Sequence, residues 1–228
     1  MHKILMPTKL IPTTGPDDWK ALLADPEKHW RAGYSAMSAA LSWESAQTLP
    51  SGLPAEIAAL LGSDAELILA IPEHKVALPG KGRESQCDVF ALVKSSGQTI
   101  AVAVEAKVNE PFGPTVGDWL KDASAGKVER LTAICTLLGC AYPPPPDLRY
   151  QLFHRTAAAV IEATRFKTDR AAMVVQSFSA DRKWFEDFAA FCRYLGHEPK
   201  DGTPTHHQLP SRVTLTLAWV TSPPIPTR

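Results

Sequence analysis

Three short apolar segments, residues 66–77 (ELILAIPEHKVA), 86–94 (QCDVFALVK) and 99–108 (TIAVAVEAKV), follow one another in the middle of the chain. Each has the length of a single strand, and Gly/Ser clusters bound them. Ser95-Ser96-Gly97 joins the last two as a hairpin turn. Pro72 makes the first an edge or interrupted strand, because proline cannot donate to a ladder. A local strand run is thus fixed at the centre, and the rest of the chain has to pack around it.

Residues 17–62 are rich in Ala and Leu and read as helices broken at Pro26 and near Pro50. After the strands, helices are expected over 127–140 and 148–166, with four prolines at 143–146 as a rigid spacer between them. A strand over 171–179 (AAMVVQSFS), a helix over 183–195 and a last strand over 213–220 (VTLTLAWV) complete the chain. Pro7, Pro12 and Pro16 mark an irregular lead, and Pro223, Pro224 and Pro226 an irregular tail. Helices, a run of strands, helices and a returning strand predict one α/β domain over the 228 residues, with a mixed central sheet.

Composition excludes several functions. The chain carries 24 Lys+Arg against 24 Asp+Glu, so there is no bulk attraction to a polyanion, and any such site must be local. An arm-type or histone-like DNA binder is ruled out. Cys87, Cys135, Cys140 and Cys192 form no CxxC pair and no zinc spacing, and are expected as reduced, mostly buried thiols. Pro7 breaks the start before an apolar targeting stretch forms, and no apolar run is long enough to span a membrane; the expectation is a cytoplasmic protein. Nucleophile-elbow, dinucleotide-binding, zincin and kinase patterns are absent.

The hairpin carries the one concentrated chemical signal. Strand periodicity puts Val102, Val104, Ala106 and Val108 on a core face, and Ala101, Ala103, Glu105 and Lys107 on the other, where the small alanines predict an open cleft. A turn centred near Ser96 sets Asp88 opposite Val104 or Glu105. Facing carboxylates repel unless a cation lies between them, and hard oxygen ligands favour Mg²⁺ or Mn²⁺. A lysine two residues on could orient water beside that metal, which is the minimal set for metal-assisted hydrolysis of a phosphodiester.

Asp88, followed seventeen positions later by Glu105-Ala106-Lys107 on the next strand, resembles the PD-(D/E)xK nuclease superfamily, with Cys87 where the motif has proline. The resemblance implies a restriction-endonuclease-like α-β-β-β-α-β core over about residues 30–180, with extra N-terminal helices and a C-terminal helix and strand. It implies that Asp88, Glu105 and the Ala106 carbonyl bind Mg²⁺ or Mn²⁺, and that Lys107 positions the water.

Further residues are candidates by the same resemblance. Glu44 ends the helical stripe Trp30, Tyr34, Met37, Leu41 and is similar to the acidic residue that reaches the metal from the helix before the strands; escape to solvent near Pro50 is the competing reading. Gln151 and Arg155 stand four apart on the helix after the Glu-Ala-Lys strand, where Arg155 could clamp a phosphate, or both could belong to a solvated stripe with His154, Glu162 and Arg165. Ser85 and Gln86 close a Gly-rich basic loop (PGKGRESQ) and are candidate substrate contacts. Lys81, Arg83, Lys107, Arg149 and Arg155 could gather on one side of the sheet. His206 and His207 read as surface loop, and Trp184, Phe185, Phe188 and Phe191 as core.

The expected function is Mg²⁺-dependent hydrolysis of nucleic acid, DNA rather than RNA, with a homodimer as the simplest way to nick both strands. The alternative is a catalytically silent nuclease-fold protein that serves as an interaction module.

Overall fold

The structure, a computed structural model, describes residues 8–9, 13–23, 25–80, 82–211 and 213–223. Seven strands form one mixed sheet in the order β1-β2-β3-β4-β5-β7-β6. They are β1 (Thr8–Lys9), β2 (Glu66–Val76), β3 (Ser85–Ser95), β4 (Gln98–Lys107), β5 (Arg170–Ser177), β6 (Thr205–Gln208) and β7 (Thr214–Thr221). β2, β3 and β4 are an antiparallel meander, while β4, β5 and β7 run parallel. The β3–β4 turn holds Ser96 and Gly97 at φ 51° and 77°, the left-handed pair that a two-residue hairpin needs to match strand twist.

Parallel neighbours need a crossover, and helices supply it. α5 (Ala125–Leu138) and α6 (Tyr150–Phe166) lie between β4 and β5 in sequence, and α7 (Phe185–Tyr194) between β5 and β7. These three helices pack on one sheet face through Leu131, Phe153, Val160, Phe188 and Phe191. The opposite face is covered by α2 (Ser35–Ser45), α3 (Ala55–Leu61) and a 3-10 segment (Pro16–Leu22), through Trp43, Ile57 and Trp19. Two short helices, α1 (Pro26–His29) and α4 (Val116–Leu120), precede α2 and α5 respectively. The central strands β3, β4, β5 and β7 are therefore buried from both sides, which is why they are largely apolar runs.

That double cover corrects the expected cleft. Ala101 and Ala103 are buried beneath α6, whose Ala157, Ala158 and Ala159 are buried as well. Small residues on both partners let the helix approach the sheet closely, so the alanine face is packed core. Space remains beyond the end of the β3–β4 ladder, where Asp88 lines a cavity.

Other expectations shift. His206 and His207 lie in edge strand β6, where His207 Nε2 is 2.9 Å from the Leu138 carbonyl and Nδ1 is 3.1 Å from His197 Nε2. Glu162, expected in a solvated stripe, is fully buried, paired with His74 at 3.4 Å and Arg165 at 2.9 Å. Phe188 and Phe191 are core and Phe185 packs against it, whereas Trp184 is half-buried and donates Nε1–H to the Asn109 carbonyl. All four cysteines are free thiols, three of them buried and Cys140 half-buried. No helix among the described residues is long and apolar enough to cross a membrane.

Candidate functional site

The β3–β4 ladder fixes the register. Val89 pairs with Val104, the last paired position, so Asp88 and Glu105 are the next residues on each strand. Beyond that point the strands part, and Asp88 Oδ2 accepts the Ala106 N–H at 2.6 Å in place of a strand carbonyl. On the other side β4 stays paired with β5 through Lys107, which keeps its end rigid. The site thus sits at the carboxyl end of the parallel strands, where open α/β sheets place their ligands.

Glu105 is the centre of a polar web. It is 2% exposed, and its carboxylate accepts from Arg155 Nε at 2.5 Å, from Gln151 Nε2 at 2.8 Å and from Lys107 Nζ. Lys107, 4% exposed, also lies 5.0 Å from the Phe112 ring centroid. Burial pushes the Glu105 carboxyl up, but the guanidinium of Arg155 and the ammonium of Lys107 outweigh it and hold it down at about 2. Arg155 loses from burial and gains more from Glu105, so it stays cationic. Its Nη1–H reaches Ser85 Oγ at 2.9 Å, and that hydroxyl faces His154 Nδ1 at 2.8 Å. Burial, then Arg155, lowers His154 to about 3, so its ring stays neutral beside the Ser85 hydroxyl.

The structure adds one participant that the sequence does not suggest. Pro72↔Val89 and His74↔Cys87 are register pairs, which sets Glu73 across from Asp88. Glu73 has φ 52°, a strained value for a residue other than glycine. Glu73, Gln86, Asp88 and Arg155 line one side of a cavity of about 210 Å³, with Leu23, His29, Ser35 and Ala36 opposite. Gln86 Nε2 donates to Glu73 at 2.7 Å. Burial first, and the Asp88 charge second, raise Glu73 to about 8; burial first, and Glu105 second, raise Asp88 to about 7. Two carboxyls that hold their protons to neutral pH, beside a third that does not, is an arrangement of high proton affinity facing solvent. The signal that could have found Glu73 is its pairing: extending the β2–β3 register brings it to Asp88.

The structure thus brings together Asp88, Glu105, Ala106, Lys107, Ser85, Gln86, Gln151 and Arg155, and it adds Glu73 and His154. Glu44 is directed elsewhere: Thr13 Oγ1 and Trp19 Nε1 each donate to it at 2.7 Å, and Gln47 also donates. The stripe that ends in Glu44 faces the N-terminal segment, and the carboxylate serves that segment's packing. Arg149 pairs with Asp187 at 3.1 Å and donates to the Gly113 carbonyl, outside the web. Lys81 lies outside the described residues.

Among the described residues no group of three or more His, Cys, Asp and Glu side chains forms a ready-made metal cage. The donors nevertheless suit Mg²⁺ or Mn²⁺. Mg²⁺ is typically held by one or two carboxylates, its own waters and substrate phosphate, and all ligands here are hard oxygens. Asp88 commits one oxygen to Ala106 N–H, which leaves the other, with Glu73, toward the cavity. Glu105 is less available, since both of its oxygens already accept hydrogen bonds.

A sequence profile described as a domain of unknown function, DUF6946, matches residues 12–224. The chain belongs to the DUF6946 family. No curated protein and no solved structure matches it.

Proposed function

We propose that the chain is a Mg²⁺- or Mn²⁺-dependent phosphodiesterase that hydrolyses nucleic acid, DNA in preference to RNA, on a restriction-endonuclease-like core. The order helix α3, strands β2-β3-β4, helix α6, strand β5 supports that core, since it follows the α-β-β-β-α-β succession. The observation that carries the function is the pair Glu73/Asp88, held protonated to about pH 8 and 7 in a solvent-facing cavity, next to Glu105 and Lys107 on the adjoining strand.

In this reading Asp88 and Glu73 release their protons and hold the ion, with the Ala106 carbonyl beside them. The ion supplies Lewis-acid polarisation of the phosphate and a lowered pKa of water. Lys107, fixed by Glu105, orients the attacking water, Arg155 keeps Glu105 ionised, and Gln151 helps hold it in place. The Arg155 guanidinium, which lines the cavity, compensates charge on the phosphate. The test is cleavage of supercoiled and single-stranded circular DNA. Activity should require Mg²⁺ or Mn²⁺ and disappear in Lys107→Ala with the circular dichroism spectrum retained. Full activity in that variant would remove Lys107 from the mechanism.

One observation favours the second reading, a non-cleaving interaction module: Lys107 is 4% exposed and engaged by Glu105. A protein that captures nucleic acid identically with and without metal, and cleaves neither substrate, would decide for it.

A further inference from the structure

A second chamber adjoins the proposed centre, a cavity of about 320 Å³ lined in part by Leu78, Trp119 and Tyr150 and by the cations Arg83, Lys127 and Arg130. That is the size of a small-molecule pocket. Trp119 and Tyr150 stack face to face, with ring centroids 3.8 Å apart and planes within 15°. The chamber shares Glu84, Tyr150 and His154 with an intermediate cavity of about 390 Å³. That cavity in turn shares Gln86 and Arg155 with the one that holds Glu73 and Asp88. Shared lining residues thus set the three cavities side by side, from the carboxyl pair, past Arg155, to the aromatic pair.

Tyr150 is 7% exposed, and beside its hydroxyl stands Arg130, whose guanidinium also donates to the carbonyls of Pro79, Arg83 and Gly80. Lys127 lies 5.2 Å over the Trp119 ring and donates to the Trp119 carbonyl, two weak commitments that a long side chain can exchange for a phosphate. The walls offer flat aromatic surface, the Tyr150 hydroxyl and an excess of cations, which complements a nucleotide: a base with polar edges on an anionic backbone.

We infer that this chamber takes one unpaired base of the substrate strand while the phosphodiester lies at Glu73 and Asp88, so that single-stranded nucleic acid is the preferred substrate class; the inference rests on the function proposed above. A base inside a duplex enters only after it is flipped out, at the cost of its stacking and pairing, whereas a base of a single strand is already free.

The test combines two assays on the full chain. Fluorescence anisotropy without added metal compares a labelled oligothymidine with a duplex of the same length. Hydrolysis of bis(p-nitrophenyl) phosphate with Mn²⁺ reads the centre alone, because that small diester does not need the chamber. The single strand should bind more tightly than the duplex. Trp119→Ala and Lys127→Ala should each weaken it about tenfold or more, Trp119→Phe should retain it, and small-diester hydrolysis should stay unchanged. Equal or tighter duplex binding, no single-strand binding, or binding indifferent to both Trp119→Ala and Lys127→Ala would overturn the inference even if the small diester is hydrolysed. If the wild type binds as expected but hydrolyses no diester, the chamber stands and the hydrolytic reading falls. Lys127→Ala, on the surface of α5, provides the same test should Trp119→Ala fail to fold.

Discussion

Asp88→Asn should stabilise the metal-free protein, and by an amount that grows with pH. In the folded chain Asp88 keeps its proton to about pH 7, against an ordinary value of 3.8. Between those values the folded state binds more protons than the unfolded one, so stability falls as pH rises through the window and the loss is complete above it. At about 1.4 kcal/mol per pH unit the gap sets a ceiling of about 4 kcal/mol. Asp88 is only half-buried at the cavity, so solvent screening reduces this to about 2 kcal/mol. Asparagine cannot ionise, yet its carbonyl can still accept the Ala106 N–H. For a chain of this size about 2 kcal/mol is about 4–8 °C in melting temperature. Thermal and urea denaturation at pH 4.5, 7 and 9, with chelator, should show the variant's lead smallest at the lowest pH and largest at the highest. Saturating Mg²⁺ at pH 8 should close or reverse the difference, because only the wild type gains binding energy. A variant that is less stable at pH 9, or displaced equally at every pH, would refute the reasoning.

Two further substitutions probe the corrected geometry. Ala103→Leu forces extra methylenes between β4 and α6 and should cost about 1–3 kcal/mol or more in urea denaturation; a neutral result would mean that this face is open after all. Glu44→Gln should leave divalent-metal affinity within twofold while increasing proteolytic access near Trp19, since Glu44 accepts from Trp19 and Thr13; loss of metal binding would return it to the centre.

The hairpin is legible because its signals are local. Gly/Ser punctuation places the turn, and counting back from it brings Asp88 to Glu105, which is where the ladder of Val89 and Val104 leads. The helix bearing Gln151 and Arg155 is equally plain, but its burial is not. A polar stripe looks solvated until a carboxylate on another strand is known to face it, and Glu105 is fifty residues away from Arg155 in sequence. Glu162 misleads for the same reason, since α6 is enclosed by sheet and helices together. Glu73 escapes because residues 77–84 join β2 to β3 without a tight turn, so no local punctuation fixes the register that brings it to Asp88. Glu44 shows the limit of a helical stripe: periodicity tells which residues share a face, and only packing decides what that face meets. The alanines at 101 and 103 are consistent with open space or with close helix approach, and the sequence pattern alone does not separate the two.

The central claim is that Glu73 and Asp88 form a divalent-cation site for which protons compete. Calorimetric titration of the wild type with Mn²⁺ at pH 6.5, in buffers of different ionisation enthalpy, measures binding and proton release together. The account predicts one binding event that releases protons, strengthens toward pH 8 and is lost in Asp88→Ala. Absence of binding, or binding that releases no protons and survives Asp88→Ala, would contradict it.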